Sequence, residues 1–218
     1  MSENAEAARQ RIEIDVVSDV VCPWCFIGKK RLEQARALAP DLDVVVRWRP
    51  YQLDPTIPPG GIPRKEYLER KFGPDRAAQM HARLEAAGAD AGVDFAFDRI
   101  ERSPNTLDAH RVIRWAAEAG AQDAVKSRLL TLYFMEGADV GDAATLAGAA
   151  ADCGMDEAAV RARLATDEDV DAVKADIETA QRMGVNGVPF FIIDGRYGLS
   201  GAQPAETIVA AMREALRG

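Results

Sequence analysis

The order of secondary-structure signals along the chain limits its fold more than any other feature. The segment IEIDVVS (12–18) alternates and is rich in β-branched residues, which predicts a strand, and DVVVRWRPYQL (43–53) predicts another. From 64 to 183 the composition changes to Ala, Arg, Glu and Leu at helical spacing. After this block the pattern is β-like again, with GVPFFIID (187–194) as a buried strand. The two β-rich ends are therefore expected to share one sheet, with the helices inserted between them.

The periodicity of apolar residues and the positions of Gly and Pro predict the individual elements. A helix is predicted from Trp24 to Leu38, and TIPPGGIP (56–63) closes the first β-rich part. Ser103 before Pro104 predicts a helix N-cap, and VDFAFDRI (93–100) is expected to be extended. The helices of the block are placed near 63–72, 74–90, 104–119, 122–136, 142–152, 156–165 and 168–183. A turn with a short strand (195–201) and a last helix (205–216) complete an α/β chain.

Composition excludes several classes of function. With 48% hydrophobic residues among 218, the chain can bury a stable core without structural metal ions or disulfides. A net charge of -8 opposes binding to a phosphate backbone, so no nucleic-acid partner is expected. The N-terminus MSENAEAARQR lacks the apolar core of a secretory signal, and no apolar run reaches membrane-spanning length. These features predict a soluble cytoplasmic protein with no membrane partner, in which a purely structural disulfide is not expected.

The segment VCPWCFIGKK (21–30) places two cysteines three positions apart at a predicted helix start. Such a pair can be a redox couple, half of a zinc site or two small core residues. A structural zinc site needs four ligands, and the remaining candidates, Cys153, His81 and His110, are isolated in the helical block. The redox interpretation is therefore favoured over the other two, and no metal is predicted.

A redox pair has a physical reason to lie at a helix start. Cys22 would face free backbone N–H groups and the positive end of the helix dipole, which predicts a lowered pKa and a nucleophilic thiolate. Cys25, one turn further in, would be the shielded resolving thiol, with Pro23 and Trp24 stiffening the turn. Asp19 would oppose thiolate formation if it pointed inwards. The basic run Lys29, Lys30 and Arg31 either adds favourable charge or is a solvated helix face.

Two segments carry a resemblance to a known family: SDVVCPWCFIGKKRLE (18–33) and GVNGVPFFIIDGRYGLSGAQP (184–204). They resemble the DsbA-like, FrnE-type branch of the thioredoxin superfamily of dithiol–disulfide oxidoreductases, over nearly the whole chain. The resemblance implies a thioredoxin-like fold with a large all-helical insertion. The thioredoxin-like domain would comprise 12–62 and 184–218, and the insertion domain 63–183.

The resemblance also implies a set of site residues. Pro189 would be a cis-proline packed against the cysteine turn, leaving the backbone of Val188 free to pair with an extended substrate. A trans proline that begins a strand is the alternative. The stretch SPNTLDAHR (103–111) resembles the family's insertion, so Asn105 and His110 are candidates for substrate contact. Helix capping by Asn105 and a satisfied imidazole at His110 are equally open.

Two further positions bear on the chemistry of the pair. The acid that thioredoxin-like enzymes often bury six residues before the first cysteine is replaced here by Val16, so the proton acceptor for Cys25 is undefined. Cys153 is interpreted as a small buried residue near a helix end.

The leading hypothesis is a thiol–disulfide oxidoreductase without a bound cofactor, for which glutathione is a candidate co-substrate. Its partners would be protein or small-molecule thiols and disulfides. The alternative is a glutathione-dependent isomerase or transferase of the same superfamily, similar to 2-hydroxychromene-2-carboxylate isomerase or the kappa class. A third hypothesis, from a non-enzymatic class, is a peptide-holding chaperone. Substrate, direction of electron flow and oligomeric state do not follow from the sequence.

Overall fold

The structure is a computed structural model that describes residues 9–217, without the side chains of residues 74–78. The first eight residues, on which part of the N-terminal leader prediction rests, lie outside the described residues. None of the described helices combines the length and the apolar composition needed to cross a membrane.

A four-stranded mixed sheet brings the two ends of the chain together, as predicted. Its order is β2-β1-β5-β6: β1 (Gln10–Ser18) pairs in parallel with β2 (Leu42–Pro50) and antiparallel with β5 (Phe190–Ile193). The edge strand β6 (Tyr197–Ser200) forms an antiparallel pair with β5. Because β5 lies beside β1, the segment that precedes Phe190 is carried to the end of β1, where the cysteine turn begins.

The helices account for most of the remaining chain. Helix α1 (Pro23–Leu38) follows β1, and α9 (Ala205–Ala215) packs beside it. A small ladder of β3 (Ile62–Pro63) and β4 (Arg102–Ser103) opens the helical block. The other helices are α2 (Arg64–Phe72), α3 (Pro74–Ala91), α4 (Leu107–Glu118), α5 (Gln122–Thr131), α6 (Ala143–Asp152), α7 (Glu157–Leu164) and α8 (Val170–Arg182).

One hydrophobic core runs through both the sheet and the helical block. It includes Ile14 of β1, Ile27 of α1, Trp115 of α4 and Phe134 of the segment after α5, all almost fully buried. Helices α5 and α8 pack against β2, and α3 packs against α1. The helices therefore cover one edge of the sheet and approach the cysteine turn, while the division of the chain into two domains stays a prediction.

Two local predictions are corrected by the structure. Ser103 is not an N-cap: its backbone is engaged in the ladder with Ile62, so the helix begins only at Leu107, after Thr106. The segment 93–100 alternates in burial at first, as an extended chain does, but pairs with no described strand. It ends in a 3₁₀ turn at Phe97–Arg99.

The helix predicted over 122–136 is continuous but changes its winding. α5 passes at Leu132 into a π-helical turn that runs to Glu136, and Gly137 ends it in the left-handed conformation. Added side-chain bulk at Gly137 would meet the carbonyl of Arg99, which explains why glycine fits at this close approach.

Candidate active site

The cysteine turn lies between the end of β1 and the start of α1. β1 ends at Ser18, Cys22 is the N-cap residue of α1, and Pro23 occupies its first turn, where its missing N–H costs nothing. Cys25 lies within that first turn, and both cysteines are free thiols. The predicted strand, turn and helix are therefore present, with the pair at the helix start.

The two sulfurs differ in access to solvent. Cys22 keeps 3% of its surface exposed, whereas Cys25 has none. Trp24 stands between them in sequence and is 41% exposed, so it forms the outer surface of the turn. A molecule approaching from solvent would meet Trp24 and Cys22 before Cys25.

The segment before β5 completes the site from the far end of the chain. The Val188–Pro189 peptide bond is cis, as the resemblance implied, and Pro189 is buried. The Cys22 thiol donates a hydrogen bond to the Val188 carbonyl at 3.5 Å. Pro189 packs so closely on α1 that a Cβ at Gly28 would lie 2.8 Å from the proline Cγ. The pairing of β1 with β5 explains this approach, because Val17 lies opposite Phe190.

The backbone beside Cys22 retains hydrogen-bonding capacity. Among residues 9–217, the N–H of Val188 has no hydrogen-bond partner, whereas the Pro189 carbonyl accepts from Gly201 N–H at 2.9 Å. A peptide in extended conformation could therefore pair with Val188 next to the Cys22 sulfur.

A cluster of buried ionisable groups lies behind the cysteine turn. Asp19 is almost fully buried, points inwards and accepts a hydrogen bond from the Leu53 N–H at 2.8 Å. His110 Nε2 lies 3.3 Å from Asp19 Oδ1 and 2.9 Å from the Tyr51 carbonyl. Since a carbonyl only accepts, His110 Nε2 carries a hydrogen. Burial would raise the pKa of Asp19, but His110, Leu53 and the charge of Lys126 together lower it.

Lys126 of α5 is the member of this cluster that the sequence analysis missed. Only 1% of its surface is exposed, and burial lowers the pKa of its ammonium to about 8, against the opposing effect of Cys25, Asp19 and Cys22. One signal could have found it: Lys126 shares the inward stripe of α5 with Leu129 and Leu130, both fully buried.

The two buried thiols titrate as a pair because ionisation of either sulfur opposes ionisation of the other. The adjoining Cys25 sulfur, burial and the carboxylate of Asp19 raise the pKa of Cys22. Burial also opposes ionisation of Cys25, but the adjoining Cys22 thiol and the ammonium of Lys126 lower the pKa of Cys25. The lowered pKa predicted for Cys22 therefore belongs to Cys25 in the reduced protein. The N–H of Cys25 does favour the Cys22 thiolate, yet it is outweighed.

Of the candidate contacts from the insertion, His110 is buried in the protein interior and Asn105 is half-buried. The Asn105 side chain donates to the Ile57 carbonyl at 2.6 Å and accepts from the Leu107 N–H at 2.9 Å, so it stabilises the turn before α4 and holds the preceding loop. His110 reaches the back of the cysteine turn through Asp19. A substrate contact by either residue stays a prediction.

Basic residues of α1 form ion pairs with carboxylates away from the thiols. Lys29 is buried and pairs with Glu33 at 2.6 Å and with Asp123 at 3.1 Å, which fits neither a solvated face nor a charge aimed at the thiols. Arg31 pairs with Asp90. These residues bind neighbouring elements together and leave Lys126 as the buried cation that acts on Cys25.

The remaining candidates for metal or redox chemistry are dispersed. Cys153 lies half-buried at the end of α6, and burial raises the pKa of its thiol. His81 on α3 stacks on Phe97 at 4.5 Å between ring centres. Among the described residues no group of three or more His, Cys, Asp or Glu side chains is arranged to hold a metal ion.

An apolar groove of about 350 Å³ adjoins the exposed face of the turn. It runs between Trp24 and helices α2 and α3, and is lined by Trp24, Phe72, Gln79, Met80, Arg83 and Leu84. Trp24 and Phe72 are exposed large hydrophobic residues, so this surface offers apolar area next to the cysteine turn at Trp24.

Comparisons with known proteins agree with this geometry. The family model described as a DSBA-like thioredoxin domain matches residues 13–213. The crystal structure of a probable DsbA oxidoreductase from Streptomyces coelicolor is 34% identical, with a TM-score of 0.86, and the match covers 94% of this chain and 90% of that one. The uncharacterized protein YwbO of Bacillus subtilis is 27% identical over 183 residues, which are 84% of this chain and 86% of YwbO.

Two more distant structures share the fold. The cytosolic disulfide reductase DsbM from Pseudomonas aeruginosa with GSH has a TM-score of 0.68 at 18% identity, covering 94% of this chain and all of that one (100%). A 2-hydroxychromene-2-carboxylate isomerase has a TM-score of 0.71 at 16% identity, and the match covers 94% of this chain and 96% of that one.

Proposed function

The chain belongs to the DSBA-like thioredoxin domain family, and from that premise we propose that Cys22 attacks disulfides and Cys25 resolves the mixed disulfide. The protein is an enzyme, a disulfide oxidoreductase. The observation that carries the assignment of roles is the contact of the Cys22 thiol with Val188, beside cis-Pro189, together with the 3% exposure that Cys22 keeps and Cys25 lacks.

The reaction follows from thiol–disulfide exchange. For attack, a proton passes from Cys22 to the adjoining Cys25 sulfur, so the charge reaches Cys22, the sulfur that lies nearer to solvent. Cys22 forms a bond to one substrate sulfur, and the substrate disulfide breaks to release the first thiol. Cys25 then gives up this proton to the departed thiolate or to solvent, and its thiolate attacks the Cys22 sulfur, which forms the Cys22–Cys25 disulfide and releases the second thiol. The reverse sequence oxidises a dithiol substrate.

Two surfaces would hold the substrate. The free N–H of Val188 would pair with an extended segment beside the attacked sulfur, and Pro23, Trp24 and Pro189 would border that segment. The groove between Trp24 and Phe72 would take an apolar side chain. Together these surfaces favour a peptide or another molecule with an apolar group close to its disulfide.

Glutathione is the proposed co-substrate, and the cytoplasm the proposed compartment. DsbM, a cytosolic reductase whose structure contains glutathione, supports both by its fold. In that compartment the enzyme would reduce disulfides if its potential lies below the glutathione poise of roughly -220 to -320 mV, and would form them if it lies above.

A glutathione-dependent isomerase is the second candidate, because a 2-hydroxychromene-2-carboxylate isomerase has the same fold. In such an enzyme one residue at the turn would activate glutathione, and Cys25 would be superfluous. The buried cluster behind Cys25 favours the dithiol enzyme instead, since its charges act on the second cysteine.

Substitution of each cysteine tests the assignment. Cys22→Ser is expected to reduce turnover of a disulfide substrate to the background rate, because the turn loses the sulfur that lies nearer to solvent. Cys25→Ser is expected to accumulate a stable mixed disulfide on Cys22, detected by mass spectrometry of alkylated protein. Cys153→Ser is the matched control and should retain wild-type turnover.

An active Cys22→Ser protein would contradict the proposal. Full turnover of a glutathione adduct by Cys25→Ser, without an accumulated mixed disulfide, would replace it with the isomerase.

A further inference from the structure

A cavity between β2, α4, α5 and α8 takes no part in the proposed chemistry. It has a volume of about 240 Å³. Among the described residues that line it, none belongs to the cysteine turn (22–25) or to the segment 184–189. The cavity is therefore separate from the surface on which a disulfide substrate would meet Cys22.

The buried end of this cavity is apolar. Trp48, Ile113 and Val173 form part of its wall there, and at most 4% of the surface of each residue is exposed. An engineered apolar cavity of about 150 Å³ binds benzene. The larger volume here has room for an apolar group of that size together with a polar head group.

Lys126 introduces one positive charge among these apolar side chains. It lines the cavity and keeps 1% of its surface exposed, and among the residues that the structure describes it takes part in no hydrogen bond or ion pair. Its Nζ lies 5.5 Å from the centre of the Trp48 ring. An aromatic ring offsets part of the cost of a buried ammonium but supplies no opposite charge. The cavity therefore presents a buried cation without a counter-ion.

The other charged side chains of the wall lie at the exposed mouth of the cavity and form ion pairs of their own. The pairs are Arg49 with Asp15, Arg114 with Asp176, and Glu118 with Arg163. The four members that line the cavity are 38% to 67% exposed, so water and salt screen their charges. The charge that a ligand meets at the buried end is therefore that of Lys126.

Gln122 adds a hydrogen-bond donor next to this cation. Its Oε1 accepts from the Trp48 N–H at 3.0 Å and its Nε2 donates to the Trp48 carbonyl at 3.3 Å, which fixes the orientation of the amide. Nε2 carries two hydrogens, and within the described part of the chain the second has no acceptor. Gln122 and Lys126 are one turn apart on α5, so they face the cavity side by side.

We propose that this cavity binds a small monocarboxylate with a compact apolar body, its carboxylate between Lys126 and Gln122 and its apolar part against Trp48, Ile113 and Val173. One negative charge balances the one unpaired cation, and the carboxylates at the mouth oppose a second. Inorganic phosphate carries charge without an apolar body, so it would leave the buried end without contacts. The inference goes beyond the proposed function, since no step of disulfide exchange uses this cavity.

Benzoate and its neutral analogue benzamide test the charge and size of the ligand. Both contain a ring of the size that fits the buried end, but only benzoate is an anion. Titration of each into the wild-type protein, followed by nitrogen-edited NMR, should show one benzoate site. Benzamide should bind at least about 30-fold more weakly, because a buried charge pair loses one partner.

Three results of this titration would overturn the inference. Benzoate that does not bind at millimolar concentration would leave the cavity as a solvent-filled space. Equal affinity for benzoate and benzamide would remove the role of the buried cation. Inorganic phosphate that binds as tightly as benzoate would contradict the role of the apolar end.

The indole N–H signals locate the bound ligand. The chain has three tryptophans, of which Trp48 lines this cavity and Trp24 lines the groove beside the cysteine turn. Benzoate should shift the Trp48 indole signal and leave the Trp24 signal in place. A shift confined to Trp24 would place the ligand in that groove and would contradict the inference.

Substitution of the two buried lysines tests the role of the charge. Lys126→Met should weaken benzoate binding at least about 30-fold. Lys29→Met is the matched control, because Lys29 is also buried over the Trp48 ring, at 5.6 Å, but does not line the cavity. It pairs with Glu33 and Asp123, and its loss should leave benzoate binding unchanged. Wild-type affinity in Lys126→Met would show that the assignment is wrong.

Substitution at the mouth tests the location independently of the charge. Ala117 lines the cavity and is exposed on α4, so Ala117→Phe should obstruct the entrance without repacking the core, and should weaken benzoate binding. Ala162 is exposed on α7 and does not line the cavity, so Ala162→Phe should bind like the wild type. Equal effects of the two changes would contradict the location. If a variant does not fold, the comparison of benzoate with benzamide on the wild type still decides the question.

Discussion

At the residue scale, the most unusual feature is the burial of the Lys126 ammonium, which lowers the free energy of unfolding. Its pKa of about 8, against 10.5 for a free lysine, means that the unfolded state binds more protons between these two pH values. Stability therefore rises with pH across that window, and below pH 8 the full cost of the buried ammonium, about 3 kcal/mol, opposes folding. A residue kept at such cost is more readily explained by chemistry than by packing.

This accounting predicts a stability gain from an apolar replacement. Reduced Lys126→Met should have a free energy of unfolding up to about 3 kcal/mol higher than the wild type at pH 7, because no charge is desolvated. The gain should shrink as the pH rises from 8 towards 10.5. Urea denaturation at several pH values measures it. A variant less stable than the wild type at pH 7, or a gain that does not change with pH, would disagree.

At the scale of elements, the contact of α1 with the segment before β5 fixes the geometry of the site. Gly28 on α1 leaves the space that the Pro189 ring fills, and Phe191 lies close behind it. The position of Val188 against the Cys22 sulfur thus depends on one missing side chain in the middle of a helix.

Gly28→Ala is expected to disturb this contact. Its Cβ would meet the Pro189 ring at 2.8 Å, so we predict a loss of about 1–3 kcal/mol from overpacking, despite the better helix propensity of alanine, and lower turnover. Gly148→Ala is the matched control, because a Cβ at Gly148 in α6 meets nothing within 4 Å. That change should stabilise the protein by about 0.5–1 kcal/mol. Thermal denaturation and a disulfide-turnover assay test both, and equal effects of the two substitutions would contradict the packing argument.

Among these elements, the sequence predicts features that depend on local spacing and misses those that depend on long-range contacts. Helix periodicity predicted α1 and α9 well, because the spacing of apolar residues along the chain determines the amphipathic face of a helix. Ser103 was misplaced because its pairing with Ile62 is a long-range contact. Lys126 was missed because its burial depends on the packing of α5 against β2, which is a long-range contact.

At the scale of the whole molecule, the sheet converts two distant motifs into one site. The Cys-Pro-Trp-Cys turn and the Gly-Val-Pro segment could be matched from the sequence, since their resemblance to the family is specific. Their meeting at Cys22 and Val188 depends on the order β2-β1-β5-β6, in which β5 lies next to β1. The helical block then adds the buried cluster from a third part of the chain.

The redox equilibrium of the Cys22–Cys25 pair tests the central claim most directly. Thiol trapping and mass spectrometry across defined glutathione buffers would follow all three cysteines at once. We predict a reversible two-electron transition between the dithiol and an intramolecular Cys22–Cys25 disulfide, with Cys153 remaining a thiol. A glutathione adduct on Cys22 at every ratio, without any intramolecular disulfide, would contradict the account.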